Sequence, residues 1–334
     1  MKLGKQTVKF ENPITIECAY SCVGKKEADG PFGSYFDKIY QDKLNKEATW
    51  EKAESALLKE TIACVMQKNK TSFSDIDYIF SGDLLNQCTS TSFAIKDFGV
   101  PHFGIFSACS TFSEGMSLGA LLISGRFAKK VICATSSHFC TAEKQFRYPI
   151  EYGSARCPTS QWTVTGSGAV ILSDKNENGP YITHITTGKI MDFGVKDANN
   201  MGAAMAPAAA DTIMAHLKET GRDTSYYDLI VTGDLGSVGM KLNVELLKEE
   251  GIDITQNYND CGNMIFDKKK QSTKSGGSGC GCASSMFCGY FYKKLKEKEF
   301  RKILFVPTGA LLSPISALQG ESIPSIAHAV AIEM

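Results

Sequence analysis

The chemistry in this chain starts from a cysteine and its neighbours. The stretch "FSACSTFSEG", residues 106–115, sets Cys109 among Ser107, Ser110 and Thr111. An apolar run from Phe103 to Phe106 leads in, and a small-residue helical pattern from Met116 to Ile123 leads out. The segment reads as a strand-to-helix junction with a thiol at the helix N-terminus. The positive end of the helix dipole favours thiolate there, and thiolate is the reactive form. A nucleophilic cysteine also needs a base and donors for a developing oxyanion. Five histidines are available to supply the base. His216 reads as a solvated helical position and His184 as a structural mid-strand residue. His328 opens the last strand, and His102 stands at the far end of the strand leading to Cys109. His138 follows the strand pattern Val131 to Thr135, at a C-terminal strand edge where ligands of α/β sheets gather. If the chain is an enzyme, Cys109 and His138 are its catalytic residues.

A second cluster lies in "SGGSGCGCASS", residues 275–285, which opens another helical pattern. Its glycines let backbone N–H groups approach a small anion closely, and Ser278 adds a hydroxyl donor. Cys280 and Cys282 form a lone C-x-C, too few ligands for a tetrahedral metal site. Arg147 and Arg156 flank "YPIEYGS", and each suits either carboxylate pairing or a structural or interface role. Asp83 and Asp234 read as caps of the helices that follow them. Asp234 has a second reading, as a residue lining a pocket.

The elements that must hold these residues repeat along the chain. "DYIFSGDLLNQ" (77–87) resembles "DLIVTGDLGSV" (228–238), 151 residues on. A long helical pattern precedes each copy, at 49–67 and 203–220. A shorter helix follows each, ending at Gly99 and Gly251. A short strand comes next (102–106 and 254–258), then a cysteine, then a helix with basic residues at its end. Further strands fall at 129–137 and 169–173, and at 301–310 and 327–333. Strands at 14–19 and 181–186 open the two series. The expected architecture is α/β: two β-α-β-α-β-α-β-β halves, 1–175 and 179–334, related by a pseudo-dyad. Crossover helices of this length imply mostly parallel sheets covered on both faces.

Bulk composition narrows the function. The chain has 334 residues, 43% hydrophobic, with 36 acidic and 36 basic side chains. That balance, with no long basic block, argues against a nucleic-acid partner. The run Lys268 to Lys270 reads as solvated, or as a contact for an acidic membrane surface. Twelve cysteines are scattered through apolar patterns, which suits free buried thiols in a reducing compartment. No signal peptide and no membrane-spanning run is legible. The expected protein is soluble.

The two halves, with a cysteine opening the third helix of the first, resemble the thiolase fold of thiolases, ketoacyl synthases and chalcone synthases. The likeness covers nearly the whole chain and implies a five-layered αβαβα architecture. It also implies a site between the halves, where the helices beginning at Cys109 and near Cys280 point their N-termini at each other. In the catalytic families a histidine follows the strand matching Asp228 to Thr232, and a second histidine or an asparagine comes from the Gly-rich segment. Here those places read "TGDLGS" and "GGSGCGCASS", with neither residue. A narrower resemblance rests on "GDLLNQ" (82–87), "SACST" (107–111), "ATSSH" (134–138), "AEKQFRYPIEYG" (142–153), "TVTGSGAV" (163–170), "MGAAMAPAAADT" (201–212), "NDCG" (259–262), "GGSGCGC" (276–282) and "TGALLSP" (308–314). Together these are similar to the stage V sporulation protein AD family of spore-forming Firmicutes.

That family implies binding of dipicolinic acid, with or without calcium, and its uptake into the developing spore. It implies membrane-embedded partners from the same operon, a peripheral place at the forespore or spore inner membrane, and a homodimer. On this view the ligand contacts are Cys109, Ser110, Thr111, His138, Arg147, Asp234, Ser278, Cys280 and Gly281, with no resident metal or cofactor. Two other functions stay open: a condensing or acyl-transfer enzyme using Cys109, and a scaffold for a membrane transport complex.

Overall fold

The computed structural model describes residues 1–146, 156–175 and 179–334. Its first series of elements is β1 (Thr7–Gly24), α1 (Lys25–Ala28), β2 (Lys38–Tyr40), α2 (Trp50–Lys68), β3 (Tyr78–Gly82), α3 (Thr89–Ile95), β4 (His102–Gly104), α4 (Thr111–Ser124), β5 (Lys130–Ser137), α5 (Phe139–Phe146), β6 (Trp162–Thr163) and β7 (Gly166–Ser173). The second runs β8 (Tyr181–Thr186), α6 (Met201–Thr220), β9 (Leu229–Thr232), α7 (Gly236–Glu249), β10 (Tyr258–Asp260), α8 (Cys261–Met264), β11 (Gly277–Ser278) and α9 (Cys280–Met286). A π turn, Phe287–Phe291, carries α9 into α10 (Tyr292–Lys296). The chain ends with β12 (Lys302–Val306), β13 (Thr308–Ala310), α11 (Pro314–Leu318), β14 (Ser325–Ala327) and β15 (Ala329–Glu333).

The repeat appears in the strand order. One sheet reads β10-β9-β12-β15-β8-β1-β7-β5-β3-β4, with β2 alongside β1. Each arm has the same order of parts about the β8–β1 pair. In the first arm β3, β4 and β5 pair in parallel, while β7 runs antiparallel between β5 and β1. In the second, β9, β10 and β12 are parallel, and β15 runs antiparallel between β12 and β8. Most strands of each arm therefore share one direction, but the pairing is mixed. The reason lies in the connections. Parallel neighbours need a crossover, and α3, α4, α7 and α9 supply it. Between β5 and β7, and between β12 and β15, no helix crosses the sheet.

Alternating side chains sort the layers. On β5, Val131 and Cys133 face one cluster while Ile132 and Ala134 face another. The first cluster is the middle of the molecule. It joins Phe112, Met116 and Ala120 of α4 and Ala283 and Met286 of α9 to both arms of the sheet, including Phe305 and Val330. The outer clusters pack Leu58, Ile62 and Val65 of α2 on one arm and Ala210, Ile213 and Leu217 of α6 on the other. Helix, sheet, helix, sheet, helix is the five-layered thiolase-like arrangement.

The middle layer requires close backbone approach. A Cβ on Gly168 of β7 would lie 2.3 Å from the Ser284 carbonyl of α9. One on Gly281 of α9 would lie 2.3 Å from the Gly166 carbonyl. These glycines let α9 sit directly on β7. Two expectations need correction. The strand expected at 254–258 forms later, at Tyr258–Asp260. His216 is buried on α6, not solvated: its ring meets the Thr186 hydroxyl at 2.8 Å and the Tyr227 hydroxyl at 2.5 Å.

Gly168→Ala should separate α9 from β7 and cost about 1–3 kcal/mol, the usual range for an overpacked core. Chemical denaturation will measure it; an unchanged midpoint would show that this contact does not set the layer spacing.

Candidate functional site

The loop before α4 aims Cys109 into the middle layer. Ala108 has φ +48°, a left-handed conformation that costs a non-glycine residue about 1–2 kcal/mol. A local lattice holds it. The Thr111 hydroxyl donates to the Ala108 carbonyl at 2.6 Å and accepts from the Ser107 N–H at 3.0 Å. The Ser110 N–H donates to the Ser107 carbonyl at 3.0 Å. Gly309 packs against the same turn, where an added Cβ would stand 2.2 Å from the Ser107 carbonyl.

Cys109 is buried with Cys280, Leu84 and the partly buried Phe146. Its thiol hydrogen-bonds the Asp234 carboxylate, and the Gly279 N–H also faces the sulfur. Asp234 comes from the loop after β9 and is fully buried. It accepts from the Ser278 hydroxyl (3.0 Å), the Gly279 N–H (3.0 Å) and the Thr308 hydroxyl (2.8 Å). The starts of α4 and α9 thus converge as the resemblance implied. The anion that stands between them is the protein's own.

This arrangement disfavours thiolate. Burial pushes the Cys109 thiol well up, and the Asp234 carboxylate beside it pushes further. Cys280 is raised by burial and by Glu54 and Asp83. Burial also lifts Asp234, to about 6, against the pull of its hydrogen bonds from Cys109, Gly279 and Thr308. The helix dipoles favour charge at this point, and a carboxylate has taken it.

The other expected contacts are placed as follows. The Ser110 hydroxyl accepts from the His328 N–H at 3.2 Å. Ser278 serves Asp234, and the Gly281 N–H donates to the Ser137 hydroxyl at 3.1 Å. With Thr111 turned to Ala108, these groups have internal partners. Cys280 sends its thiol to the Ser136 carbonyl at 2.9 Å, while Cys282 lies 3.6 Å from the Gly233 carbonyl, so the two point apart. Among the described residues no three histidine, cysteine or acidic side chains are placed to share a metal. His138 is not part of this cluster. Its Nε2 meets the Lys43 carbonyl at 2.8 Å and its Nδ1 accepts from the Cys140 N–H at 3.1 Å. Both ring nitrogens are occupied, so it cannot serve Cys109 as a base here. Arg147 lies outside the described residues. Arg156 pairs with Glu143 at 2.6 Å and lies over the Trp162 ring.

The capping roles also divide differently. Asp83 accepts from the Leu85 and Thr91 N–H groups, both at 2.7 Å, near the start of α3. Asp234 does not cap α7. Asp260 takes that work, accepting from Leu235 and Gly236. Sequence reasoning missed two members of the site. Thr308 sits in the quoted "TGALLSP" but gave no sign of its target. Gln161 is buried and donates from Nε2 to the carbonyls of Asp234 and Gly277, tying two loops together. A lone glutamine in a polar connection carries no signal for that.

Comparisons with known proteins follow the geometry. The family model for stage V sporulation protein AD matches residues 4–333. Stage V sporulation protein AD of Bacillus subtilis (strain 168) is 44% identical over 334 residues, covering 100% of this chain and 98% of that protein. Among solved structures, 3-oxoacyl-[acyl-carrier-protein] synthase III from Aquifex aeolicus VF5 matches with a TM-score of 0.58 at 14% identity, covering 96% of this chain and 100% of that one. OleA from Xanthomonas campestris matches with a TM-score of 0.60 at 13% identity, covering 98% of each chain. At such identities the structures speak for the fold alone. Among the described residues, no helix is long and apolar enough to cross a membrane.

Two outcomes follow for this site. Iodoacetamide at pH 8 should modify exposed Cys157 well before Cys109, and Asp234→Asn should speed the reaction at Cys109 by removing the neighbouring charge. Peptide mapping reads both; equal rates at Cys109 and Cys157 would contradict the sealed thiol. The second concerns pH. Asp234 titrates higher folded than unfolded, so its protonation favours the folded state, and that advantage is lost as pH rises from about 4 to about 6. A carboxyl moved from 3.8 to about 6 corresponds to on the order of 3 kcal/mol. The stability of Asp234→Asn relative to wild type should therefore improve across that interval. Melting curves from pH 4 to 7.5 test it, and a constant difference would refute it.

Proposed function

The chain belongs to the stage V sporulation protein AD family, and from that premise we propose that it is a non-catalytic thiolase-like protein that binds dipicolinic acid. It takes this ligand with or without calcium and supports its uptake into the developing spore, as a homodimer beside membrane-embedded partners. The observation that carries the non-catalytic part is the contact between Cys109 and Asp234. Acyl transfer needs a thiolate, a base and donors left free for an oxyanion. Here the thiol donates to a carboxylate, and the Gly279 N–H and the Ser278 and Thr308 hydroxyls are committed to the same carboxylate. A fold shared with condensing enzymes does not bring their chemistry.

Two measurements test this reading. Incubation with acetyl-CoA and longer acyl-CoA thioesters, followed by intact-mass analysis, should show no adduct; an acyl group mapped to Cys109 would restore the condensing-enzyme reading. Calorimetry with dipicolinate, with and without calcium, should show saturable binding. Absence of heat in both titrations, with the protein folded, would leave the scaffold reading in its place.

A further inference from the structure

Glu54 of α2 is fully buried. Its Oε2 lies 2.6 Å from the Thr141 hydroxyl of α5, and its Oε1 lies 3.3 Å from the Ser136 hydroxyl of β5. The Thr141 oxygen also lies 2.8 Å from the His138 carbonyl. A threonine hydroxyl carries one proton. If that proton goes to Glu54, the Thr141 and His138 oxygens face each other with lone pairs alone. If it goes to His138, the Glu54 and Thr141 oxygens do. A proton on Glu54 satisfies both contacts at once: the carboxyl donates to Thr141, and Thr141 donates to His138.

The surroundings favour that proton. Burial holds the Glu54 carboxyl well above the usual carboxylate range, Asp83 raises it further, and Glu51 adds to the same side. Burial raises Asp83 as well. Each oxygen of Asp83, however, accepts a fixed backbone N–H, from Leu85 and from Thr91, both at 2.7 Å. Such donors suit a carboxylate, so Asp83 holds the charge of the pair and Glu54 its proton. The other groups around them bring no cation. Lys144 of α5 is paired with Glu51 at 2.6 Å. His138 has partners on both ring nitrogens. The Cys280 thiol of α9 turns to the Ser136 carbonyl, and burial raises both it and Cys88.

The bond to Thr141 fastens a lid. Phe146, the last residue of α5, packs on Leu84, Cys109 and Cys280. Gln145 clasps the loop beneath, accepting from the Asn86 N–H at 3.0 Å and donating to the Leu84 carbonyl at 2.9 Å. That loop is strained: Gln87 and Cys88 follow one another with φ +57° and +49°. A cavity of about 290 Å³ lies between it and α5, with Thr141 in its wall. Once α5 lifts, Glu54 is open to solvent by that route. We propose that the proton on Glu54 is a latch: it holds α5 closed over the Cys109 cluster, and rising pH releases it. The sign follows from linkage. Lifting α5 lets Glu54 return toward its ordinary value of 4.5, whereas closure keeps it protonated. Above that value opening releases one proton, so each pH unit favours the open state about tenfold until Glu54 ionises in the closed state too. Lower pH tightens the lid.

Hydrogen exchange of the intact protein, read by mass spectrometry between pH 5.5 and 7.5, decides the matter. With the intrinsic pH dependence of exchange divided out, peptides spanning 139–146 should open about tenfold more often per pH unit in wild type. Glu54→Gln places an N–H₂ where the protonated carboxyl stood, so its α5 should stay closed with no dependence on pH. Asp83→Asn removes the neighbouring charge, lets Glu54 ionise while still closed, and should make the rise level off at lower pH. Infrared spectroscopy gives a separate reading: wild type minus Glu54→Gln at pH 6.5 should contain the C=O stretch of a protonated carboxyl. Opening of α5 that is independent of pH in wild type, an equal slope in Glu54→Gln, or absence of that infrared band would overturn the latch. Should Glu54→Gln not fold, the Asp83→Asn profile decides: an earlier plateau supports the latch, and a profile matching wild type overturns it.

Discussion

A buried carboxylate holds the centre of this molecule together. Asp234 gathers a thiol from the first series of elements and a hydroxyl, a backbone N–H and a second hydroxyl from two segments of the second. Burying an ionised carboxylate is costly unless donors converge on it. The start of α9 offers such donors through its unpaired N–H groups and dipole. The helix start therefore offsets part of the cost of the charge, while burial still leaves the carboxyl raised to about 6, and the turn at Ala108 brings Cys109 to the same point. Gln161 keeps the two loops in register by clasping one backbone carbonyl of each.

That constraint reverses the electrostatics expected of the fold. A helix N-terminus ordinarily lowers the pKa of a cysteine placed on it. Here the same field is spent on a carboxylate, whose charge and hydrogen bond then favour the protonated thiol. Nearby, Glu54 and Asp83 are buried too, and burial raises both; Glu54 is raised further by Asp83. Their hydrogen-bond partners are neutral: Ser136 and Thr141 for Glu54, the Leu85 and Thr91 N–H groups for Asp83. The middle of the molecule is thus acidic and closed, while Lys26 and Arg156 lie over the Trp162 ring outside it.

Packing explains why the closed centre persists. Gly166, Gly168 and Gly281 bring α9 against β7 with no side chain between the backbones. Phe112, Phe287 and Phe305 fill the layer alongside, in tilted and edge-on contacts. Side chains confined this way leave little room for the loops at Cys109 and Gly279 to separate.

Much of the fold was legible in the sequence because it is written in local patterns. The repeated Gly-Asp-Leu after an apolar strand, helices with glycine beyond their ends and the recurring cysteine fixed the order of elements and the doubling. Hydrophobic periodicity depends on neighbours three or four positions away, so a linear reading recovers it. The meeting of Cys109 with Asp234 and Cys280 was foreseeable only in outline, through the convergence of two helix starts. What the tertiary structure alone decided was which partner each polar group takes. Ser278, Thr308 and Gly279 turn to Asp234 and not outward, His138 turns to Lys43 and not to Cys109, and His216 is buried and not solvated. A hydrogen bond depends on a few ångströms and an angle between groups far apart in the chain, and no spacing along the sequence encodes that.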